Sequence, residues 1–200
     1  MKIELGNGYA LSFSEQNSKM GKINSFSVPP ITTCWWGVPC VKDCYAVKYY
    51  NLHKRTENAY KSNMEAVLNV PIEELAKTFT GYINLMNVKY FRWNVSGDFN
   101  LPNYWRLTCL VAEQNPECNF MAFTKMYHLR EMPRPSNFNL VLSIWKDYMP
   151  PVIDNRTGYA YFNDGTYPIP EDAVECDGKC DICHKCFFLT NGKKVYFNKH

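Results

Sequence analysis

The sequence predicts an α/β protein: parallel βα repeats forming a partial, incomplete TIM-like barrel, with a C-terminal cysteine-rich segment that binds a metal or a cluster. Three observations lead there. Segments with apolar residues at helical spacing alternate with short runs of β-formers, and such alternation implies parallel βαβ units with right-handed crossovers. One β-rich run carries a polar face, which a sheet buried on both sides does not tolerate without a purpose. Seven of the nine cysteines fall into two tight groups at opposite ends, Cys34, Cys40 and Cys44, then Cys176, Cys180, Cys183 and Cys186. The expected division is a barrel domain over 1–165, with the first cysteine loop at 34–44, and a cysteine-rich segment over 166–200 packed on it. An open doubly wound sheet is the other arrangement that such repeats allow.

The elements follow in order. A first strand is expected over 23–28, ahead of the first cysteine loop. Residues 45–70 read as helix, broken near Thr56. Pro71, Glu73 and Glu74 mark the start of a second helix: proline suits the first turn and the acids complement the helix dipole. Ile72, Leu75, Ala76, Phe79, Tyr82, Ile83 and Met86 then recur at helical spacing. Residues 88–95 are rich in β-formers and run into Ser96-Gly97-Asp98, a strand ending in a turn. Residues 101–114 form the next helix. Short strands are expected over 119–124, over 138–144 behind Pro133 and Pro135, and over 159–162.

Composition narrows the classes. Hydrophobic residues make up 46% of the 200, enough for a real core, and aromatic residues 16%. The formal net charge is only +3, so electrostatics alone do not argue for a strong nucleic-acid binder. A local basic stretch, Lys48, His53, Lys54, Arg55 and Lys61, follows the first cysteine group and fits an ordinary solvated helix face. The N-terminus lacks an apolar core behind a basic start, so no export signal is expected. No stretch approaches the roughly 18 apolar residues of a membrane span. A cytoplasmic location is the expectation.

In a reducing compartment structural disulfides are rare, and nine is an odd number, so metal or cluster ligation is the expected fate of the grouped thiols. Cys180, Cys183 and Cys186 run as C-x2-C-x2-C, with Cys176 four residues ahead. Successive spacings of three resemble a loop that wraps a cubane [4Fe-4S] cluster, with Cys176 as the fourth ligand. Zinc is the alternative at this group. The first group offers three thiolates at C-x5-C-x3-C. Three leave one iron of a cubane without a protein ligand, open to a substrate or cofactor. Three plus four therefore points to one reactive and one auxiliary cluster.

In open α/β sheets and barrels, ligands sit at the carboxyl ends of the strands. Alternation along 88–95 puts Phe91, Trp93 and Val95 on one face and Arg92, Asn94 and Ser96 on the other. The polar face is the expected lining of a binding lumen, with Arg92, Asn94, Ser96 and Asp98 as catalytic candidates. Gly97 would let backbone approach a ligand closely, and Asp98 would accept hydrogen bonds from a cationic group. Thr124 and Lys125 close the next strand and join Ser96, Gly97 and Asp98 as cofactor-binding candidates, with Ser143 on the same rim. Cys109 reads as core and Cys118 as a loop thiol. His184 is expected to face solvent. Trp35-Trp36 would shield a cluster or anchor its loop in the core. His200 would close over the cluster region.

These motifs, in this order, resemble the gene-product-88 domain family of phage and plasmid proteins. The matching pieces are SFSVPPITTC…C…CYA at Ser25 to Ala46, FRWNVSGDF at Phe91 to Phe99, Tyr104-Trp105, AFTK at Ala122 to Lys125, and C..C..C followed by VYFNKH at Val195 to His200. A looser resemblance is to radical S-adenosylmethionine enzymes. It implies a cubane on Cys34, Cys40 and Cys44 whose open iron chelates the cofactor's amino and carboxylate groups, and a Ser96-Gly97-Asp98 turn contacting that amino group. Those enzymes carry C-x3-C-x2-C with the aromatic residue before the last cysteine, whereas here Tyr45 follows it. Three functional classes remain: an iron–sulfur radical or redox enzyme acting on a small molecule, a zinc- or cluster-stapled module binding nucleic acid or a host protein, and a phage-type nuclease, for which no carboxylate cluster for two-metal hydrolysis is evident.

Overall fold

A computed structural model describes residues 1–17 and 20–198. The chain opens with an antiparallel pair, β1 (Lys2–Glu4) and β2 (Ala10–Ser12). Seven further strands form one sheet: β3 (Asn24–Phe26), β4 (Tyr90–Trp93), β5 (Asn119–Thr124), β6 (Phe138–Ile144), β7 (Gly158–Asn163), β8 (Val174–Glu175) and β9 (Lys194–Asn198). Every pairing in it is parallel, and the order is β3-β4-β5-β6-β7-β9-β8. The order runs monotonically from β3 to β7, without the reversal that defines a doubly wound sheet. The sheet is open: β3 and β8 are its edges, and it does not close into a barrel.

The helices are α1 (Tyr45–Leu52), α2 (Lys54–Asn69), α3 (Ile72–Leu85), α4 (Tyr104–Gln114) and the single turn α5 (Cys180–Cys183). The break between α1 and α2 falls at His53, three residues before the expected Thr56. His53 is extended (φ −122°) and its ring lies 4.3 Å from that of Tyr49. α3 begins where Pro71 and its two acids place it. α4 begins three residues later than expected, because Asn103, behind Pro102, takes a left-handed conformation (φ 59°).

The two faces of the sheet are covered differently. On one, Phe91, Trp93, Phe120, Leu140, Leu142 and Tyr159 pack with Leu75, Phe79 and Tyr82 of α3 and Leu107 and Val111 of α4. Rings crowd this core: Trp93 lies 4.9–6.3 Å from Phe26, Phe79, Phe91, Tyr104 and Phe120. The other face carries Arg92, Met121, Phe123, Asn139, Val141, Ala160 and Val195. It is covered by Met20, Ile23 and the cysteine-rich segment through Cys176, Cys180, Cys186, Phe187 and Leu189. That segment is therefore built against the sheet, and β9 lies inside it. Buried Asn63 of α2 ties the N-terminal pair to this body: it accepts from Ser12 N (2.7 Å) and donates to the carbonyls of Ser12 (3.0 Å) and Ser27 (2.8 Å). Among the described residues, no helix is long and apolar enough to cross a membrane.

Candidate functional site

The first cysteine loop leaves the carboxyl end of β3 and meets the turn that follows β4. Thr33 is the hinge between them. Its hydroxyl donates to the Pro29 carbonyl (2.7 Å) and accepts from Asp98 N (3.3 Å). Asn100 N donates to the Thr33 carbonyl (3.2 Å), and the Asn100 side chain donates to the Cys34 carbonyl (3.0 Å). Ser96 pairs with the chain after β3 through Val28 N (3.3 Å) and Ser27 Oγ (3.3 Å). What approaches Gly97 is the protein's own chain. Its φ is +78°, and a Cβ there would collide with the Thr33 hydroxyl and the Val28 side chain and stand 2.8 Å from the Val28 carbonyl.

Asp98 is buried at the centre of this junction. Its Oδ1 accepts from the Thr124 hydroxyl (2.7 Å) and Phe99 N (2.9 Å), and its Oδ2 accepts from Lys125 N (3.1 Å). A carboxylate has about four acceptor positions, so Oδ2 keeps one. Burial pushes the carboxyl above its ordinary range, while the three hydrogen bonds and the Lys125 ammonium pull the other way. Lys125 donates to Ser143 Oγ (3.2 Å) and lies 5.4 Å from the Trp145 ring centroid. Tyr148 donates to the Lys125 carbonyl (3.3 Å), and Tyr127 donates to the carbonyls of Ser143 (2.8 Å) and Tyr148 (2.9 Å). Thr124, Lys125 and Ser143 thus share a rim with Asp98.

The thiols of this loop feel that rim. Burial, and then the Asp98 carboxylate, push Cys34 up to about 12, with smaller contributions from Cys40 and Cys44. Burial raises Cys40 too, and the nearby Lys125 ammonium opposes the rise. The second group lines one small cavity: Cys176, Cys180, Cys183 and Cys186, with Asp177, His184, Met121 and Phe187. Buried Asn139 of β6 holds this segment down by donating to the carbonyls of Cys186 (2.8 Å) and Leu189 (3.1 Å). Burial and the neighbouring thiols push Cys186 up to about 12. Among the described residues, no three His, Cys, Asp or Glu side chains stand in the geometry that grips a single metal ion. The donor chemistry of both groups is nonetheless all thiol, the soft set that suits iron–sulfur clusters or zinc.

Arg92 lies beside the second group and near Tyr45. Its guanidinium favours the ionised Cys176, Cys180 and Cys186 thiols on one side and the Tyr45 hydroxyl, next to Cys44, on the other. It lies 4.8 Å from the Phe123 ring centroid and donates from Nη1 to Met20 Sδ (2.8 Å), while Nε is buried without a hydrogen-bond partner among the described residues.

Asn94 is not on the Arg92 face as the alternation predicts. Its φ is +53°, which ends the strand and turns the side chain toward α4, where its Oδ1 accepts from the Tyr104 hydroxyl (2.8 Å). Asn94 Nδ2 and Ser96 Oγ are buried and have no hydrogen-bond partner among the described residues. Cys118 lies in the loop between α4 and β5, as expected, but its side chain is buried in the core. Cys109 packs against the same core from its edge. The His184 ring stacks on Tyr90 at 3.8 Å. Trp36 is exposed and Trp35 lies against His128, so neither anchors the loop in the core. His200 lies outside the described residues. Sequence reasoning missed Thr33, Asn100, Asn139 and Tyr127. Only Asn139 left a readable sign, a carboxamide inside the apolar run FNLVLSI. A separate cleft of about 160 Å³, lined by Asn87, Lys89, Gln114 and Glu117, opens at the amino ends of β4 and β5, away from these groups.

A family model for gene product 88 matches residues 7–181, most of the chain. The chain belongs to the gene product 88 family. The match spans both the first cysteine loop and the Ser96-Gly97-Asp98 turn, and it ends at Asp181 inside the second cysteine group. No curated protein and no solved structure matches this gene product 88 protein significantly.

Proposed function

We propose that this protein is an iron–sulfur enzyme of radical-S-adenosylmethionine type, built on a partial barrel. Cys34, Cys40 and Cys44 would hold an open-site [4Fe-4S] cluster, and Cys176, Cys180, Cys183 and Cys186 an auxiliary one. The observation that carries this reading is the junction of the first cysteine loop with the Asp98 turn at the carboxyl edge of the sheet, where Asp98 N donates to Thr33, next to Cys34, and the Asn100 side chain donates to the Cys34 carbonyl. Monotonic strand order with helices on one face supports the partial barrel. Its lumen face would be the one carrying Arg92.

Bound there, such a cluster supplies one-electron chemistry and a coordination position for a small chelating ligand. The chain's own residues would do the rest. Asp98 Oδ2 keeps an acceptor position for the ammonium group of a cofactor such as S-adenosylmethionine. Thr124 and Lys125 hold that carboxylate in place. Lys125, steered by Ser143, offers a cation to an anionic part of the cofactor or of a small-molecule substrate. Arg92 offers a second cation beside the second thiol group. Zinc at the second group is the alternative, and it would leave that segment a structural staple.

The test is anaerobic purification with iron, acid-labile sulfide and zinc quantified together. The expected protein is brown, with iron approaching about eight per chain if both thiol groups hold cubanes. S-adenosylmethionine should change the electron paramagnetic resonance signal of one reduced cluster only. A colourless protein with stoichiometric zinc and no iron removes the enzyme reading. An unchanged spectrum with intact clusters removes the S-adenosylmethionine site alone.

A further inference from the structure

α1 presents its apolar stripe to solvent. Tyr45, Lys48, Tyr49 and Leu52 stand at i, i+3, i+4 and i+7, one face of the helix. Leu52 is 70% exposed and Tyr49 56%, and the only residue α1 buries is Ala46. By contrast α3 buries Leu75, Ala76, Phe79 and Tyr82 against the sheet. Trp36, in the cysteine loop just ahead of α1, is 88% exposed. An indole and a helix stripe left in water on the same stretch of chain mark an interaction site more than scattered surface apolar residues do.

The charge on this stretch says what covers it. Residues 31–55 carry Lys42, Lys48, Lys54 and Arg55 against the single acid Asp43. Glu57, just beyond, pairs with Lys54 and Lys61 and leaves Lys42, Lys48 and Arg55 without an ion-pair partner among the described residues. The partner is therefore anionic and offers flat surfaces to aromatic rings. Unpaired bases stack on such rings whatever their sequence, while phosphates take the cations. A bilayer fits less well, because α1 has only eight residues and its stripe is mostly tyrosine and lysine.

We propose that the exposed face of the cysteine loop and α1, centred on Trp36 and Tyr49, binds single-stranded nucleic acid. The surface adjoins the candidate site: α1 follows Cys44 directly, and the Tyr45 hydroxyl donates to the Val95 carbonyl (2.7 Å), one residue before Ser96. The bound strand is then the substrate presented to the thiol site. That role rests on the iron–sulfur reading, whereas the binding surface does not. A modest overall charge is compatible with it, since stacking carries much of the affinity.

The test is fluorescence anisotropy of a labelled oligothymidylate with the full-length protein, its iron and sulfide content measured on the same sample. The expected result is saturable binding whose log K falls with log salt at a slope of roughly −2 to −3, from about 0.7 per cation placed on a single strand. Trp36→Ala and Tyr49→Ala should each weaken binding by roughly 5- to 150-fold, the value of one lost base stack. Both side chains are exposed, so melting temperature should not move. Leu85→Ala, an equally exposed apolar residue on α3, should leave binding unchanged. No binding, binding indifferent to both aromatic substitutions, or capture by phosphatidylserine vesicles in place of the oligonucleotide would each overturn the proposal. Clusters without binding sink this inference alone. Binding without clusters sinks the enzyme reading alone.

Discussion

Replacing Asp98 by Asn tests the centre of the site, because neither orientation of the new carboxamide fits. Oδ1 faces Phe99 N–H and Oδ2 faces Lys125 N–H. A carboxyl oxygen, even protonated, still accepts from an N–H, whereas an NH2 cannot. Whichever way the amide turns, a buried backbone donor meets another donor. An orphaned buried donor costs about 1–3 kcal/mol, and for a chain of this size each kcal/mol moves the melting temperature by about 2–4 °C. A loss of roughly 2–12 °C is expected where Asp98 is protonated. The pH dependence has a definite sign. Burial, the largest influence, raises the folded carboxyl above its ordinary 3.8. Between those two values the folded state binds more protons than the unfolded state, so Asp98 contributes most stability at acid pH and loses it as pH rises through the folded value. The substituted carboxamide does not titrate. The melting difference between wild type and Asp98→Asn should thus be largest at acid pH and narrow toward neutrality, read by circular dichroism melts across a pH series. A difference that widens with rising pH, or an Asp98→Asn protein as stable as wild type at acid pH, would refute the reasoning.

Other outcomes follow from the same geometry. Gly97→Ala should destabilise by about 2–5 kcal/mol in a denaturant melt, from a left-handed residue plus overpacking against Val28 and Thr33; a change under about 0.5 kcal/mol, the range of an ordinary surface substitution, would mean the two loops are not locked together. If the second cysteine group holds a metal, Cys183→Ala should lose both metal and solubility, because metal-binding free energy is folding free energy, whereas Cys40→Ala should stay folded and lose only the first group's iron; equal metal content in Cys183→Ala and wild type would remove the second group as a ligand set. Asn139→Leu should loosen the cysteine-rich segment, seen as faster hydrogen exchange at Cys186 and Leu189, since both carbonyls lose their donor; unchanged exchange would show that Phe187 and Leu189 hold the segment by packing alone.

Much of the fold was legible locally. β5 and β6 fall on the very residues that β-former runs and flanking turn residues picked out, and α3 starts where Pro71 and its acids put it. Such signals lie within a few neighbouring residues. The candidate site was legible as a rim: Asp98, Thr124 and Lys125 meet because parallel β4 and β5 in register bring their carboxyl ends together. The alternation along β4 held through Arg92 and Trp93 and then failed, because Asn94 leaves extended geometry in favour of a bond from Tyr104, ten residues away.

Sequence alone determined an α/β chain of parallel repeats, the grouping of seven thiols into three and four, and the turn at Ser96-Gly97-Asp98. Each rests on periodicity or spacing along the chain, which short-range sterics and hydrogen bonding translate directly into local structure. Only the tertiary structure decided that the sheet stays open, that the cysteine-rich segment covers the face opposite α3 and α4, that Gly97 is needed by Val28 and Thr33, and that Arg92 stands beside the second thiol group. Those facts depend on pairs far apart in sequence, such as Asn139 with Cys186 and Asp98 with Thr33. Such pairs form only when the whole sheet brings them together, and they leave no mark in any local pattern.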